Sequence, residues 1–321
     1  NNKYSLATSS CTGAIHIGLL ALNVKSGDEV IVPDFSWVAT ARAVQLVGAK
    51  PVFCDVEKDT WNMCPKSLLK KITGKTKVVI PVHMYGQPAK IKDIKSICDS
   101  KNLKIIEDAA PAIGAKFSEK LCGTFGDFAA FSFQGAKLLV AGEGGILTTK
   151  NKFLYEKAKK IADFGRSLKK TFWIEKPGLK YKMSNLQASV AVAQLRRVDQ
   201  FIHKKRIIFQ AYHERLKDLE PLISMHKENE NSFSTYWMSS AILSKKINRE
   251  KFLKKLREKN IDTRPTFPKI SNYPIWGKKI INNNVNSFDI GSKGINLPSG
   301  LRLSISEIDY ISENIKKILK Y

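Results

Sequence analysis

The sequence predicts an α/β protein in which helices cover a mostly parallel central sheet, with a smaller α+β domain at the C-terminal end. Short β-branched runs alternate with longer amphipathic stretches between residues 26 and 150, which is typical of βαβ units. A chain of 321 residues also exceeds the size that a single core usually supports, about 250–300 residues. We therefore expect a large domain over residues 1–200 and a small domain over residues 201–321.

The individual elements follow from the spacing of apolar residues. The large domain has three predicted helices, at residues 15–22, 40–47 and 91–98, and five predicted strands, at residues 29–32, 51–53, 78–82, 105–107 and 128–133. Residues 186 to about 219 carry one continuous apolar stripe, which predicts a single long helix leading into the small domain. The small domain has a predicted strand at 236–243 and predicted helices at 249–259 and 308–319.

Composition and short motifs argue against several classes of protein. No apolar run approaches the roughly 18 residues of a membrane span, so we expect no membrane partner. The first ten residues lack the pattern of a secretory signal, which predicts a cytoplasmic location. Five cysteines without a CxxC pair and five histidines without an HExxH motif predict neither a disulfide framework nor a metal site.

The formal net charge of +25 raises the question of a nucleic-acid partner. Lysines and arginines are dispersed along the chain in short groups, such as residues 204–206 and 254–255, without a basic tail or a known nucleic-acid-binding motif. We therefore expect no nucleic-acid partner and favour a basic surface that attracts an anionic substrate. Nucleic-acid binding stays open as the less favoured alternative.

Small hydroxyl residues precede the first predicted helix. Residues 8–14 read TSSCTGA, which places Ser10, Cys11 and Thr12 where the helical spacing begins. Backbone N–H groups at a helix start bind anions, and neighbouring hydroxyl groups can add hydrogen bonds. An N-cap role is the commoner explanation of these residue types at such a position. This segment alone therefore does not predict an anion site.

Asp108 follows the strand predicted at residues 105–107. Ligands of open α/β sheets bind at the carboxyl ends of strands. A carboxylate at that position can keep a pyridine nitrogen protonated, which makes the ring withdraw electrons from an attached substrate. Helix capping is the alternative role for an aspartate at a strand end.

Lys137 comes shortly after the strand predicted at residues 128–133, and a glycine-rich turn, GEGG, follows at residues 142–145. An amine at that position could form a Schiff base with a carbonyl cofactor, and Ser132 could bind a phosphate group. Taken alone, Lys137 could equally be a surface lysine beside a hairpin turn. The combination of the three segments favours the cofactor hypothesis.

These segments occur in the order and spacing of a known family. The chain resembles the DegT/DnrJ/EryC1/StrS nucleotide-sugar aminotransferases over nearly its whole length. The matching segments are GDEVIVP (27–33), VHMYGQP (82–88), EDAA (107–110), FSF (131–133) with Lys137, GEGG (142–145), YKMSNLQA (181–188) and GINLPS (294–299). The resemblance implies the aspartate-aminotransferase-like fold, called PLP fold type I, with pyridoxal 5'-phosphate (PLP) as cofactor and a homodimer with shared active sites.

The resemblance also implies roles for residues at matching positions. Lys137 would carry PLP and move the proton, Asp108 would pair with the pyridine nitrogen, and Trp37 would stack on the ring. The implied cofactor contacts further include Ser10, Cys11, Thr12 and Ser132, with Lys180 or Asn185 reaching the phosphate from the partner subunit. The implied substrate contacts are Tyr85, Trp173 and Arg264. A core position for Trp37 and a loop-capping role for Arg264 are the alternatives.

The implied reaction moves an amino group from L-glutamate to C4 of a nucleotide-linked 4-keto-6-deoxyhexose, for O-antigen or other glycan biosynthesis. The alternatives are amination at C3 and a non-catalytic regulatory protein with the same fold. Five positions depart from the family pattern: Cys11 replaces a glycine, Pro111 replaces a polar residue, and residues 139–141 replace threonines. A proline side chain cannot hydrogen-bond the cofactor's ring oxygen. The pKa of the aldimine that Lys137 would form could therefore be tuned differently, or by Gln134. The family pattern also leads us to expect roughly 35–45 further residues before Asn1.

Overall fold

The computed structural model describes residues 2–167, 169–277, 280 and 282–320. The first part of the chain forms β1 (Tyr4–Thr8), α1 (Cys11–Ala21), β2 (Glu29–Pro33), α2 (Ala39–Leu46), β3 (Lys50–Cys54), α3 (Pro65–Lys71), β4 (Thr76–Val79), α4 (Ile91–Ser100), β5 (Lys104–Asp108), β6 (Lys116–Phe117), β7 (Lys120–Leu121), β8 (Phe128–Ser132), β9 (Gly145–Thr149), α5 (Lys152–Ala162) and α6 (Asn185–Leu195). The remainder forms α7 (Val198–Leu216), β10 (Ile223–Met225), β11 (Ser232–Phe233), β12 (Ser239–Leu243), α8 (Arg249–Arg257), β13 (Arg264–Pro265), α9 (Val285–Lys293), β14 (Gly294–Leu297) and α10 (Ile305–Lys320).

The central sheet has the strand order β1-β9-β8-β5-β4-β2-β3. Strands β3, β2, β4, β5 and β8 pair in parallel, whereas β9 is antiparallel to both β8 and β1. Because β1 and β8 are both antiparallel to β9, they run in the same direction. The mostly parallel, helix-covered sheet predicted from the alternating sequence pattern is confirmed.

Helices bury both faces of this sheet. Val30 and Val32 on β2 belong to the core that includes residues of α1 and α2, whereas Ile31 faces the core formed with Leu68 on α3 and Ile94 on α4. Every residue of β2 is buried. A strand covered on both sides needs apolar residues at successive positions, which explains its continuous apolar sequence.

A second, four-stranded antiparallel sheet with the order β10-β12-β14-β13 forms after α7. Helices α7, α8 and α10 contribute to a separate core around this sheet. The most deeply buried side chains of this core include Ile208, Tyr212, Leu256, Ile295, Ile308 and Ile315. The structure therefore has an α+β unit at the C-terminal end.

The expected single helix over residues 186–219 is wrong, because the structure has two helices there. Helix α6 ends at Leu195, and Arg197 takes φ −112° and ψ 9° before α7 begins at Val198. The two helices have different surroundings: α6 buries only Ala191, whereas α7 packs a long apolar face into the core. Apolar spacing continues through the break, so periodicity alone could not reveal it.

The strand expected over residues 236–243 is shorter than predicted. Tyr236 has a positive φ of 43°, which is outside the extended region, and β12 begins at Ser239. Tyr236 and Trp237 pack as core side chains before the strand starts. Across the described residues, no helix combines the length and apolar character needed to cross a bilayer.

Candidate active site

A cavity of about 360 Å³ lies at the edge of the central sheet where β1, β5 and β8 end. Its size is typical of small-molecule sites. The predicted site residues that line it are Ser10, Cys11, Thr12, Trp37, Asp108, Ser132 and Lys137. The structure thus brings together side chains from four separate segments, because parallel strands end at one edge of the sheet.

The start of α1 forms one end of the cavity. Ser10 is the N-cap, and its Oγ accepts a hydrogen bond of 3.0 Å from the amide of Gly13. The first turn of a helix presents amide N–H groups that have no partners within the helix. A Cβ on Gly145 would lie 2.6 Å from the Cys11 nitrogen, so any larger residue at position 145 would clash with the backbone at the start of α1. The helix start is suited to bind a phosphate group.

Asp108 ends β5 with its carboxylate toward the cavity, and only 5% of the residue is exposed. Thr40 Oγ1 donates a hydrogen bond of 2.6 Å to Asp108 Oδ2, and the Ala110 amide donates one of 3.1 Å to Oδ1. Sequence reasoning missed Thr40. A hydroxyl residue near the start of α2, close behind Trp37, was the one available signal.

Glu107 points to the other side of β5 and has a different role. Its carboxylate accepts hydrogen bonds of 2.7–2.8 Å from the amides of Gly123, Phe125 and Gly126, and one of 3.0 Å from His83 Nε2. The amide of Ala89 donates to His83 Nδ1, so Nε2 carries the ring hydrogen. This fully bonded carboxylate fixes the loop behind the site.

Lys137 lies in a turn after β8, where its amide donates a hydrogen bond of 2.8 Å to the Gln134 carbonyl. Its Nζ is 3.8 Å from the centre of the Trp237 indole. Burial lowers the pKa of the Lys137 ammonium from its ordinary value, and nearby Asp108 and Cys11 oppose that shift. At a given pH, a larger fraction of the Lys137 amine is therefore neutral and nucleophilic than in an exposed lysine.

Cys11 also lines the cavity at the start of α1. Burial raises the pKa of its thiol well above the ordinary value, the charge of Asp108 raises it further, and Lys137 opposes the change. The side chain is thus a neutral thiol at neutral pH. Cys11 therefore fills space beside Lys137 without adding a negative charge.

Trp37 stands at the mouth of the cavity with 53% of its surface exposed. Its indole lies 5.4 Å from the Phe267 ring, at an interplanar angle of 48°. The structure does not support a core position for Trp37, and an aromatic face beside the cavity can stack on a planar ligand. Pro111, Gln134 and Glu143 line the same cavity.

Tyr85 does not line this cavity. Its ring is 1% exposed and stacks on Phe267 at 5.9 Å, with Trp237 at 6.0 Å on another side. Phe267 and Trp237 line the cavity themselves. Tyr85 therefore lies one layer behind the cavity wall.

Four further predicted residues are exposed and do not line the cavity. Trp173 is 56% exposed in the loop after α5, and Arg264 on β13 forms two hydrogen bonds of 2.8 and 2.9 Å with the Asp262 carboxylate. Lys180 is exposed near the end of the same loop, and Asn185 is the exposed first residue of α6. Within a single chain, none of these four side chains lines the cavity.

The groups that line the cavity fit PLP. The Asp108 carboxylate suits a protonated pyridine nitrogen, the Lys137 amine suits the aldehyde carbon, and the start of α1 suits the phosphate. Among the described residues, no cluster of three or more histidine, cysteine or acidic side chains could hold a metal ion. The donor set therefore matches an organic cofactor with a phosphate group.

Comparison with known proteins agrees with this geometry. The sequence model of the DegT/DnrJ/EryC1/StrS aminotransferase family matches residues 1–316. GDP-perosamine synthase of Escherichia coli O157:H7 is 38% identical over 98% of this chain and 85% of its own length. The enzyme of the same name from Vibrio cholerae is 35% identical over 98% of this chain and 86% of its own length.

The fold is shared with solved structures as well. The aminotransferase from Psychrobacter cryohalolentis superposes with a TM-score of 0.94 and 25% identity, covering 99% of this chain and 88% of that chain. An aminotransferase of the family from Brucella abortus gives a TM-score of 0.92 and 26% identity over 100% of this chain and 87% of that chain. The predicted PLP fold type I is confirmed. The chain is a PLP-dependent aminotransferase and belongs to the DegT/DnrJ/EryC1/StrS family.

Proposed function

We propose that this enzyme transfers an amino group from L-glutamate to C4 of a nucleotide-linked 4-keto-6-deoxyhexose. The observation that carries the proposal is the placement of Lys137, Asp108 and the α1 start around one cavity. The sugar specificity rests on the GDP-perosamine synthases that resemble this chain. The amino sugar nucleotide would serve O-antigen or other glycan biosynthesis in the cytoplasm.

Lys137 is the residue that moves the proton in this reaction. PLP, when bound, supplies a ring that accepts electrons from the carbon that loses the proton. The Lys137 amine takes a proton from one carbon and returns it to another, which requires a neutral base. Burial favours that neutral form because it lowers the ammonium pKa. Asp108 holds positive charge at the ring nitrogen, and Thr40 keeps its carboxylate oriented.

The phosphate and ring are held by the other lining residues. Thr12, with the backbone at Ser10 and Cys11, binds the phosphate at the α1 start, and Ser132 adds a hydroxyl group from the end of β8. Trp37 stacks on the ring. Trp173 and Arg264 contact the sugar nucleotide, as the family resemblance implies, and Tyr85 supports the wall from behind.

The functional unit is a homodimer. Helix α6 exposes four apolar side chains, with Leu186 82%, Val190 47%, Val192 51% and Leu195 48% exposed. A helix this apolar needs a covering surface, since large exposed apolar patches mark protein interfaces. A second copy seated on α6 would carry its own Asn185 and the nearby Lys180 toward the first cavity, which supplies the contacts that one chain lacks.

The basic surface supports an anionic substrate. The formal net charge of +25 favours encounter with a nucleotide diphosphate over a neutral sugar. This contribution weakens as salt screens the charges. We therefore expect the rate constant for substrate capture to fall as ionic strength rises.

The test is turnover of a substrate panel. The PLP-loaded protein is incubated with L-glutamate and each of the GDP-, dTDP- and UDP-linked 4-keto-6-deoxyhexoses. 2-Oxoglutarate is measured, and NMR of the product locates the new amino group. Amination at C4 of at least one sugar supports the proposal, and amination at C3 overturns the assigned position. Turnover of none overturns the sugar assignment. In that case, a protein whose bound PLP is also not converted by L-glutamate would be non-catalytic.

A further inference from the structure

A buried lysine lies behind the active site on α7. Lys205 is 7% exposed, and its Nζ donates a hydrogen bond of 2.8 Å to the Trp237 carbonyl and another hydrogen bond to the Ser299 carbonyl. Within the described part of the chain, Lys205 forms no ion pair with a carboxylate. Burying an ammonium group without a counter-ion is unfavourable unless hydrogen bonds compensate for lost hydration. If this position only needed to be filled, an apolar residue would make the protein more stable than a lysine does.

One of the two carbonyls belongs to the residue that contacts the reactive amine. Trp237 is 4% exposed, and its Nε1 donates a hydrogen bond of 2.7 Å to the Ala136 carbonyl, directly before Lys137. The face of the same indole lies 3.8 Å from Lys137 Nζ. Trp237 therefore contacts both the backbone and the amine of the lysine segment.

We infer that Lys205 is a positioning residue of the active site: it fixes the Trp237 backbone, and Trp237 in turn holds the Lys137 amine. This inference rests on the proposed role of Lys137. Two hydrogen bonds and one cation–π contact connect the buried ammonium on α7 with the reactive one. The contact couples the C-terminal part of the chain to the catalytic lysine.

The indole affects the protonation of Lys137. An aromatic face stabilises a cation, more strongly when the pair is shielded from water, so it favours the ammonium form. Burial acts in the opposite direction. The other titratable groups around this amine are Asp108 and Cys11, which also favour the ammonium, and Glu143, which lines the same cavity. Displacing the indole removes one stabilising contact and leaves those three groups in place.

The experiment measures the Lys137 pKa directly in the cofactor-free protein. Trace acylation with an amine-reactive reagent is followed across a pH series, and the labelled Lys137 peptide is quantified by mass spectrometry. Trp237→Leu is expected to lower the pKa of Lys137 by about one unit, because the cation loses its aromatic face. Lys205→Met is expected to shift it in the same direction by about half a unit, because the indole is no longer held.

Matched variants separate positioning from general stability. Lys204→Met removes the adjacent half-buried lysine on the same helix and is expected to leave the Lys137 pKa unchanged. Lys205→Arg keeps a charged donor and is expected to retain the wild-type value. Circular dichroism establishes that each variant is folded, and Lys205→Gln decides the question if Lys205→Met does not fold.

The inference is overturned if a folded Lys205→Met or Lys205→Gln protein has the wild-type Lys137 pKa while Trp237→Leu does not. It is equally overturned if Lys204→Met produces the same shift as Lys205→Met. The labelling needs neither PLP nor a sugar nucleotide. Its outcome is therefore independent of whether the substrate panel confirms the proposed reaction.

Discussion

Adjacent carboxylates on β5 differ in how the protein satisfies them. Glu107 accepts four hydrogen bonds from His83 and three amides and has no exposed surface. Asp108 accepts two hydrogen bonds and lines the cavity. A carboxylate oxygen can accept more than one hydrogen bond, so Asp108 keeps capacity for a ligand. Because successive side chains of a strand point to opposite faces, Glu107 bonds the loop behind the site whereas Asp108 faces the cavity.

Replacing Asp108 by asparagine tests the role of its charge. Asp108→Asn keeps an oxygen for the Thr40 hydroxyl but removes the negative charge that stabilises a protonated ring nitrogen. We expect kcat/KM to fall about 100-fold or more, in the range seen when one electrostatic contact is removed from an active site. Thr40→Val, which removes only the orienting bond, should lower kcat/KM about threefold to tenfold. An Asp108→Asn enzyme within twofold of wild type would contradict the assignment.

The buried ammonium of Lys205 predicts a specific pH dependence of stability. Burial lowers its pKa from 10.5 to about 8. Between these values the unfolded chain binds more protons at this site than the folded chain, so the free energy of unfolding rises with pH. Relative to Lys205→Met, wild type should gain up to about 3 kcal/mol between pH 7 and pH 10.5.

Urea denaturation of both proteins at several pH values measures this difference. Groups other than Lys205 and Lys137 titrate equally in wild type and variant, so their contributions cancel. The half-unit shift expected for Lys137 adds less than about 1 kcal/mol to the difference. A constant difference across the range would show that the two carbonyls stabilise the Lys205 ammonium enough to offset its burial.

The residues that local patterns could predict are those that follow a strand or precede a helix. Asp108 and Lys137 come after apolar strand patterns, and Ser10 comes before a helical one. Thr40 and Trp237 could not be found that way, because their bonds join residues 68 and 101 positions apart. Such contacts depend on how the elements pack, which the local spacing of residues does not encode.

At the scale of elements, α6 and α7 show why a continuous apolar stripe can mislead. Residues 190–216 do carry an apolar stripe. Its α7 part packs against the same chain, whereas its α6 part is exposed. A stripe that needs burial can be covered by the same chain or by another copy. Hydrophobic periodicity predicted helical structure over these residues, as one helix instead of two, and it could not predict which surface covers each part.

The proposed dimer predicts the effect of charges on α6. Leu186→Glu combined with Val190→Glu places two carboxylates on one exposed helix face. We expect the dimer dissociation constant to rise about 100-fold or more, as when central interface residues are removed. Multi-angle light scattering over a concentration series measures the change.

The matched control is Leu69→Glu, which alters a leucine on α3 that is 53% exposed, close to the 47% of Val190. This variant should retain the wild-type dissociation constant. A wild-type protein that is monomeric at all concentrations would contradict the dimer. An unchanged α6 variant would show that the partner binds elsewhere.

At the scale of the whole molecule, a buried carboxylate joins the end of β2 to the segment before α9. Asp34 has no exposed surface and accepts hydrogen bonds of 2.7 and 2.8 Å from Ser271 and 2.8 Å from Asn284 Nδ2. These partners lie 237 and 250 positions later in the chain. The fold class could be predicted from the alternation of elements, whereas this long-range connection could not.

Removing Asp34 should destabilise the whole protein. Asp34→Ala leaves the amide and hydroxyl of Ser271 buried without their acceptor, and Asn284 Nδ2 keeps only the Phe53 carbonyl. We expect the free energy of unfolding to fall by about 2–4 kcal/mol. Asp99→Ala, which removes an exposed ion pair with Lys95, should change it by less than about 1 kcal/mol. Urea denaturation measures both, and equal effects of the two variants would contradict the structural role of Asp34.

The central claim is that Lys137 carries PLP. The most direct measurement is borohydride reduction of the PLP-loaded protein, followed by proteolysis and mass mapping of all lysine peptides. We predict one modified peptide, which contains Lys137, and no modification after the same treatment of Lys137→Ala. A cofactor mass on a different lysine, or none on Lys137 in a protein that binds PLP, would contradict the account.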